Sequence, residues 1–219
     1  MHKNAVTLNS HLPNEKVSNE QASNSSQRKH LRKALRVARK ALSVHEQEFA
    51  AETIAEQLSS FIALKRPMKI AAYLSNDGEV NLKPYIEHHW QCSEHIQFSL
   101  PVLHPVCQGH LLFLEYAPQT HMVKNKYGIE EPILACQQVV PTQQLDIILM
   151  PLVGFDKLGN RLGMGGGYYD RTLAFTRKVE QKPMLVGIAH DVQEVDTLPI
   201  APWDIPLDAI VTPTQTLVL

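Results

Sequence analysis

Four glycines within five positions, Gly163, Gly165, Gly166 and Gly167, lie between Arg161 and Arg171 in the run Gly159-Asn-Arg-Leu-Gly-Met-Gly-Gly-Gly-Tyr-Tyr-Asp170. Glycine has no Cβ, so it tolerates positive φ and lets backbone N–H groups come close to a ligand. The run follows the apolar stretch Ile147–Pro151 and precedes a segment predicted to be helical from about Gly167 to Arg177. A helix start adds partial positive charge, and the combination makes a cradle for anions, phosphate above all. Arg161 and Arg171 add guanidinium forks suited to phosphate oxygens. Asp170 cannot bind phosphate directly, but it can hold Mg²⁺ that bridges phosphates. The run is not a Walker loop, because G-x-x-x-x-G-K-[ST] is absent. Nor is it GxGxxG, because Tyr168 takes the third glycine's place. A bare triple glycine is as often a tight connection as a site; the strand before it, the two arginines and the two tyrosines favour a site.

Seven Lys and Arg residues fall between Arg28 and Lys40 with no acid among them. Most of these charges read as a solvated helix face. Arg28 and Arg32 are candidates to reach a nucleotide's phosphates. A nucleic-acid patch would call for interleaved aromatics and a basic chain. The formal net charge is −1, so no nucleic-acid partner is expected. No Ser/His/Asp or Cys/His set stands out. His88 and His89 are adjacent and point apart on a helix, which argues against shared metal binding. His190-Asp191 reads as a cap or surface pair at the end of a strand. Cys92, Cys107 and Cys136 form no CxxC pair and read as packing residues in a reducing, cytoplasmic setting. Trp203, in a Pro-rich loop, reads as the residue that pins that loop.

These residues need a scaffold, and 219 residues with 44% hydrophobic and 20% charged content suit one α/β domain. No apolar run is long enough to span a membrane, and no secretory signal opens the chain. Residues 1–27 are polar and are expected to form a disordered tail; a single domain is expected over 28–219. Leu31, Leu35, Ala38 and Leu42 recur at helical spacing. Ser43 and Glu46 form a capping box that starts a second helix carrying Ala50, Ile54, Leu58 and Phe61. Ile70–Leu74, Ile96–Leu100, Leu111–Tyr116, Ile147–Pro151, Met184–Ala189 and Ala209–Thr212 read as strands. Asn76-Asp77-Gly78 reads as a turn, and Asn81 as the cap of a helix running to about Trp90. Residues 120–144 read mostly as loop. Strands separated by helices predict a three-layer sandwich with a mostly parallel central sheet covered by helices on both faces. In such sheets ligands bind beyond the carboxyl ends of the strands.

The chain resembles the 5-formyltetrahydrofolate cyclo-ligase family, also called 5,10-methenyltetrahydrofolate synthetases. The glycine run carries the resemblance. Supporting stretches follow in family order: the basic helix, Tyr73-Leu-Ser-Asn-Asp-Gly-Glu-Val-Asn81, Asn125-Lys-Tyr-Gly-Ile-Glu-Glu-Pro132, Pro151-Leu-Val-Gly-Phe-Asp156 and Leu207-Asp-Ala-Ile-Val-Thr-Pro213. The resemblance implies ATP-dependent, Mg²⁺-requiring conversion of 5-formyltetrahydrofolate to 5,10-methenyltetrahydrofolate, ADP and phosphate. It places the nucleotide on Arg28, Arg32 and the loop Arg161, Leu162, Gly163, Met164, Gly165, Gly166, Gly167, Tyr168 and Tyr169. Arg161 and Tyr169 are the expected catalytic residues. Asn76, Glu79, Asn81, Tyr127 and Tyr168 are the expected folate contacts, and Asp170 and Asp208 the expected Mg²⁺ ligands. A monomer acting on a small-molecule substrate is expected. Three positions depart from the family pattern: Leu82 replaces a common Thr or Ser, Gly154 a more usual Ala, and Gly166 a Lys found in some members. Competing readings are a sugar-phosphate isomerase or CoA-transferase relative, a catalytically silent folate- or nucleotide-binding regulator, and an RNA-binding module.

Overall fold

The computed structural model describes residues 13–92 and 96–219. The chain opens with α1 (Pro13–Lys40). The capping box forms as expected: the Ser43 side chain accepts from the Glu46 amide, the Glu46 carboxylate accepts from the Ser43 amide, and α2 (Val44–Ala63) begins. Then come β1 (Lys69–Ala71), α3 (Lys83–Gln91), β2 (Gln97–Leu103) and β3 (Leu111–Tyr116). A small antiparallel hairpin, β4 (Met122–Lys124) and β5 (Glu130–Pro132), and a short β6 (Val139–Val140) occupy the stretch expected to be mostly loop. The central β7 (Ile147–Pro151) leads into the hairpin β8 (Gly154–Phe155) and β9 (Arg161–Leu162). The glycine run, a five-residue α4 (Tyr168–Thr172), β10 (Met184–Ile188), β11 (Ala209–Val211) and β12 (Thr216–Val218) complete the chain.

Eight strands form one sheet in the order β12-β11-β10-β7-β1-β2-β3-β6. The five inner strands, β11 to β2, pair in parallel; β12, β3 and β6 are antiparallel additions at the edges. Burial on both faces explains why β7 reads as an unbroken apolar run. Ile147 and Leu149 point into a core with Ile54, Leu58 and Ile62 of α2 and Tyr85 and Ile86 of α3. Ile148 and Met150 point into a second core with Phe155, Leu173, Ile205 and Leu207. The three-layer expectation holds, although the second face is covered mainly by α4, short 3₁₀ turns and loops.

α1 begins at Pro13, inside the stretch expected to be a tail. Its side chains dock on a distant turn: Asn24 Nδ2 donates to the Ile200 carbonyl at 2.9 Å, and Arg28 binds Asp204 and the Pro199 carbonyl. These tertiary contacts supply what the polar sequence lacks. The part of the expected tail over residues 1–12 lies outside the described residues. Gly154 is where α1 comes closest to β8: an added Cβ would strike the Leu35 side chain, which accounts for glycine at a position where Ala is usual. Asn81 does not occupy the N-cap of α3. That position is Leu82, and Asn81 Oδ1 accepts from the Lys83 amide at 3.0 Å. Cys92, Cys107 and Cys136 are exposed rather than packed; each sits at a helix end or in a connection. Among the described residues, no helix is long and apolar enough to cross a membrane.

Candidate active site

The glycine run leaves β9 and wraps round the side chain of Arg161. That side chain is buried, 3% exposed, and its Nη2 meets Asp170 Oδ1 at 2.5 Å. Its Nη1 lies 3.6 Å from where a Gly163 Cβ would be, and its Nε is a buried donor with no partner among the described residues. Burial, partly countered by Asp170, lowers the guanidinium's pKa. Arg161 therefore supports the run from beneath instead of flanking it. Asp170 Oδ1 also accepts from the Ile205 amide at 3.2 Å, so one carboxylate fastens the run to the 199–205 segment.

Above the run lies Arg32 of α1. Its Nε donates to the Gly163 carbonyl at 2.8 Å, and its guanidinium carbon would be 3.4 Å from a Gly165 Cβ. Gly165 (φ +96) and Gly167 (φ +65) take the left-handed conformations expected of the run. Among the described residues, the amides of Met164, Gly165, Gly166 and Gly167 donate to no protein acceptor. Successive backbone amides beside a guanidinium make a concavity suited to anions. The helix start adds less than expected. The helix predicted over 167–177 breaks at Leu173 (φ −94, ψ 4), leaving a single α-turn and a 3₁₀ turn. Arg171, expected to flank the cradle, is committed elsewhere: its Nε donates to the Gly109 carbonyl at 2.9 Å and its Nη2 to the Gly166 carbonyl. It braces the run against the β2–β3 turn.

On the other side stands the Asn76–Asn81 segment, at the carboxyl end of β1. Asp77 (φ +54) and Gly78 (φ +80) make its turn. Asp77 is gripped by three cations of α1: Arg36 Nε at 2.7 Å, Arg39 Nη2 at 3.0 Å and Lys40 Nζ at 2.8 Å. The hydrogen bond from Arg36 leads in holding its carboxyl well below the usual range. Arg39 is fully buried and also donates to the Leu152 carbonyl beyond β7 at 3.1 Å. His190, expected as a cap or surface residue, is buried at the start of a 3₁₀ turn; Nε2 reaches the Gly78 carbonyl at 3.2 Å, and its amide donates to Gln193 Oε1 at 2.9 Å. Burial lowers its pKa.

Glu79 follows that turn. Burial pushes its carboxyl up to about 7, against the pull of Arg39 and a hydrogen bond from the Asn76 amide. Tyr169 of the glycine run and Tyr73 lie within its electrostatic reach, and burial raises both phenols. Run and turn thus converge on one half-buried patch. At its rim the Tyr127 and Tyr168 hydroxyls are hydrogen-bonded at 2.8 Å, with the rings edge to face, which joins the β4–β5 hairpin to the run.

Not every expected residue joins this patch. Arg28 is spent on Asp204 and the Pro199 carbonyl. Asn81 caps locally, as described. Asp208 precedes β11 and so stands at the amino ends of the parallel strands, away from the run. Its carboxylate accepts from Lys182 Nζ at 3.0 Å and the Leu185 amide at 2.8 Å. Asp170 and Asp208 share no partner, and among the described residues no group of three or more His, Cys, Asp or Glu could hold a metal. The two aspartates do not fit a protein-built Mg²⁺ site. Sequence reasoning missed Arg39 and His190 as supports of the Glu79 turn. A buried arginine within a run of exposed basic residues gives no separate signal.

A mostly parallel α/β sheet carries the glycine run at the carboxyl end of its strands, the end at which open α/β sheets bind their ligands. The chain belongs to the 5-formyltetrahydrofolate cyclo-ligase family, whose pattern matches residues 24–213. It is 42% identical over 181 residues to the 5-formyltetrahydrofolate cyclo-ligase of Escherichia coli K12, an alignment covering 83% of this chain and 97% of that protein. It is 42% identical over 184 residues to the Haemophilus influenzae cyclo-ligase, covering 84% and 96%. Its fold is similar to that of Aquifex aeolicus 5,10-methenyltetrahydrofolate synthetase, with a TM-score of 0.72, 30% identity, and coverage of 87% of this chain and 92% of the other.

Proposed function

We propose that this chain catalyses the ATP-dependent cyclisation of 5-formyltetrahydrofolate to 5,10-methenyltetrahydrofolate, with release of ADP and phosphate. The observation that carries the reading is the glycine run: four unpaired amides beneath Arg32, converging with Glu79 and Tyr169. Phosphate oxygens fit there, since each amide and the Arg32 guanidinium offers a donor. ATP supplies the phosphoryl group that turns the formyl oxygen into a leaving group, after which N10 attacks the formyl carbon and phosphate departs.

The protein's share of this chemistry is positioning and charge neutralisation. The amides of 164–167 and Arg32 hold the phosphates. Arg161 keeps the run in shape and contributes positive charge from below. Tyr169 lies between run and turn, where a formyl group must meet the phosphate, and Tyr168 stands at the rim beside Tyr127. Glu79 and Asn76 face the pterin nitrogens, and Tyr127 covers its flat face. Mg²⁺, for which the described residues build no site of their own, would come with the nucleotide and offset the charge of its phosphates. The reading is of a cytoplasmic monomer needing no second chain at its site.

Purified protein with MgATP and 5-formyltetrahydrofolate should give a rising methenyltetrahydrofolate absorbance and one ADP per product. An absorbance rise without ATP, or ATP binding with no product, would reject the reading. The second outcome favours the silent regulator.

A further inference from the structure

Trp203 was expected to pin its loop, yet its side chain is on the outside: the residue is 64% exposed. The loop needs no such pin. The carbonyls on either side of Trp203 are clamped by one guanidinium, with Arg177 Nη1 donating to Pro202 O at 2.7 Å and Nη2 to Asp204 O at 2.8 Å. The Asp204 amide closes the turn on the Ala201 carbonyl at 3.0 Å, and the Ala201 amide donates to Asp204 Oδ2 at 2.8 Å. Asp204 is in turn paired with Arg28 of α1. The Ile205 amide is tied to Asp170 at the foot of the glycine run. An indole is thus held in water at the tip of a turn braced on every side. Leaving so much apolar surface wet forfeits its burial energy, and a flexible surface loop would not require this bracing.

The bracing residues also fix where the indole stands. Asp204 pairs with Arg28, one helical turn before Arg32 on α1, and the next residue's amide, Ile205 N–H, donates to Asp170, the partner of Arg161. Trp203 is the chain neighbour of Asp204, about 3.8 Å away from Cα to Cα. The turn that carries Trp203 therefore stands beside the glycine run on the α1 side, whereas Tyr127 and Tyr168 stand on the hairpin side. A nucleotide whose phosphates lie on the run carries its base out of the cradle on one side or the other. The hairpin side is occupied by the tyrosine pair and, on the reading above, the folate.

We propose that Trp203 is the stacking platform for the nucleotide's base, held in place by the Arg177 clamp; this rests on the nucleotide reading of the glycine run. Every base has a π-face, so a stacking platform tolerates base identity. Polar contact to the base is limited here to what Asp204 and the neighbouring carbonyls leave over. The site therefore takes purine nucleoside triphosphates as a class, with weak discrimination between adenine and guanine.

Trp90 is the other tryptophan, packed against Tyr116 on α3, so the Trp90→Phe variant reports on Trp203 alone. Titration with ATP should quench or shift its emission and protect it from iodide, while inorganic tripolyphosphate, which has no base, should leave it unchanged. Trp203→Ala should raise KM for ATP and GTP by about 10-fold with little change in kcat. It should leave inhibition by tripolyphosphate intact, and Trp203→Phe should restore most of the loss. ATP that binds and turns over without touching Trp203 emission, or a Trp203→Ala enzyme with wild-type KM, overturns the platform and leaves the phosphate site standing. Failure of the wild-type protein to bind any nucleotide overturns both. Quenching by 5-formyltetrahydrofolate but not by ATP would also overturn it, placing the folate on the α1 side.

Discussion

Arg39 and Asp77 are bound to each other twice: Arg39 Nη2 donates to the Asp77 carboxylate at 3.0 Å, and Arg39 Nε to the Asp77 carbonyl at 3.1 Å. The pair joins the helix that reaches the glycine run through Arg32 to the turn that presents Glu79. A buried guanidinium costs several kcal/mol to desolvate, which only good partners offset. Here the partners are a carboxylate and two carbonyls, the second being Leu152 O.

Removing either member should therefore destabilise the fold. Arg39→Met is expected to cost about 3 kcal/mol in urea unfolding at pH 7, because Leu152 O and Asp77 lose a buried donor together. Asp77→Asn should also cost stability at pH 7, with a pH signature. The folded-state pKa of Asp77 is depressed, so its contribution is complete above the ordinary carboxylate value. It fades as pH falls below about 4. The gap between wild type and Asp77→Asn should narrow over that range; a constant gap from pH 7 to pH 3 would show that the carboxylate's charge is not what the turn uses.

Glu79 should behave in the opposite sense. Its carboxyl is raised from the usual range to about 7, so the folded state holds its proton longer than the unfolded chain does. Between about pH 4.5 and 7 the folded protein binds more protons, and stability falls as pH rises through that window. Glu79→Gln removes the effect, so its stability relative to wild type should improve by about 2 kcal/mol from pH 4.5 to pH 8. The ionised carboxylate is the form that accepts from pterin N–H donors. Accordingly kcat/KM for the folate should rise with pH through about 7 in the wild type, and be low and flat in Glu79→Gln. Equal pH profiles for the two enzymes would remove Glu79 from folate recognition.

The strands and α2 were legible because their signals are local: an unbroken apolar run for β7, and a capping box followed by a helical stripe for α2. The bend at the glycine run was legible for the same reason: the left-handed conformations of Gly165 and Gly167 are written in their residue type. The roles of the surrounding cations were not. Arg161, Arg171, Arg28 and Arg39 look alike in sequence, yet one is buried beneath the run, one braces it, one is tied to Asp204 and one is locked under a turn. Those assignments depend on partners 9 to 176 residues away. The two expected metal aspartates failed to converge for the same reason. The exposure of Trp203 could not be read from its neighbours, because what holds that turn is Arg177 and Arg28, neither adjacent in sequence.

Arg161 is buried with Asp170, so its truncation cannot spare the fold. Arg161→Ala leaves a carboxylate without its cation and is expected to cost about 3–5 kcal/mol in denaturant unfolding. Arg161→Lys is the sharper probe. It keeps a charge near Asp170 but loses the planar fork under Gly163. The Lys variant should unfold within about 2 kcal/mol of wild type and lose about 100-fold in kcat, as for removal of one preorganised donor. A Lys enzyme with wild-type kcat would reduce Arg161 to a structural prop.

Gly165 and Gly163 test whether the run's backbone, rather than its charge, holds the phosphates. At Gly165 φ is +96, and a Cβ would meet the Arg32 guanidinium carbon at 3.4 Å. Gly163 has no positive φ, and its added Cβ would meet only Arg161 Nη1 at 3.6 Å, an ordinary contact. Gly165→Ala should thus cost about 1–3 kcal/mol of backbone strain, or else relax by turning its amide away from the cradle. Gly163→Ala should change stability by less than about 0.5 kcal/mol. The KM for ATP should rise about 10-fold or more in Gly165→Ala, whether the strain is kept or relieved, because both shift an amide that phosphate must meet. If Gly165→Ala melts earlier but binds ATP as the wild type does, the glycines serve only the tight bend and the phosphates are held by Arg32 and its neighbours.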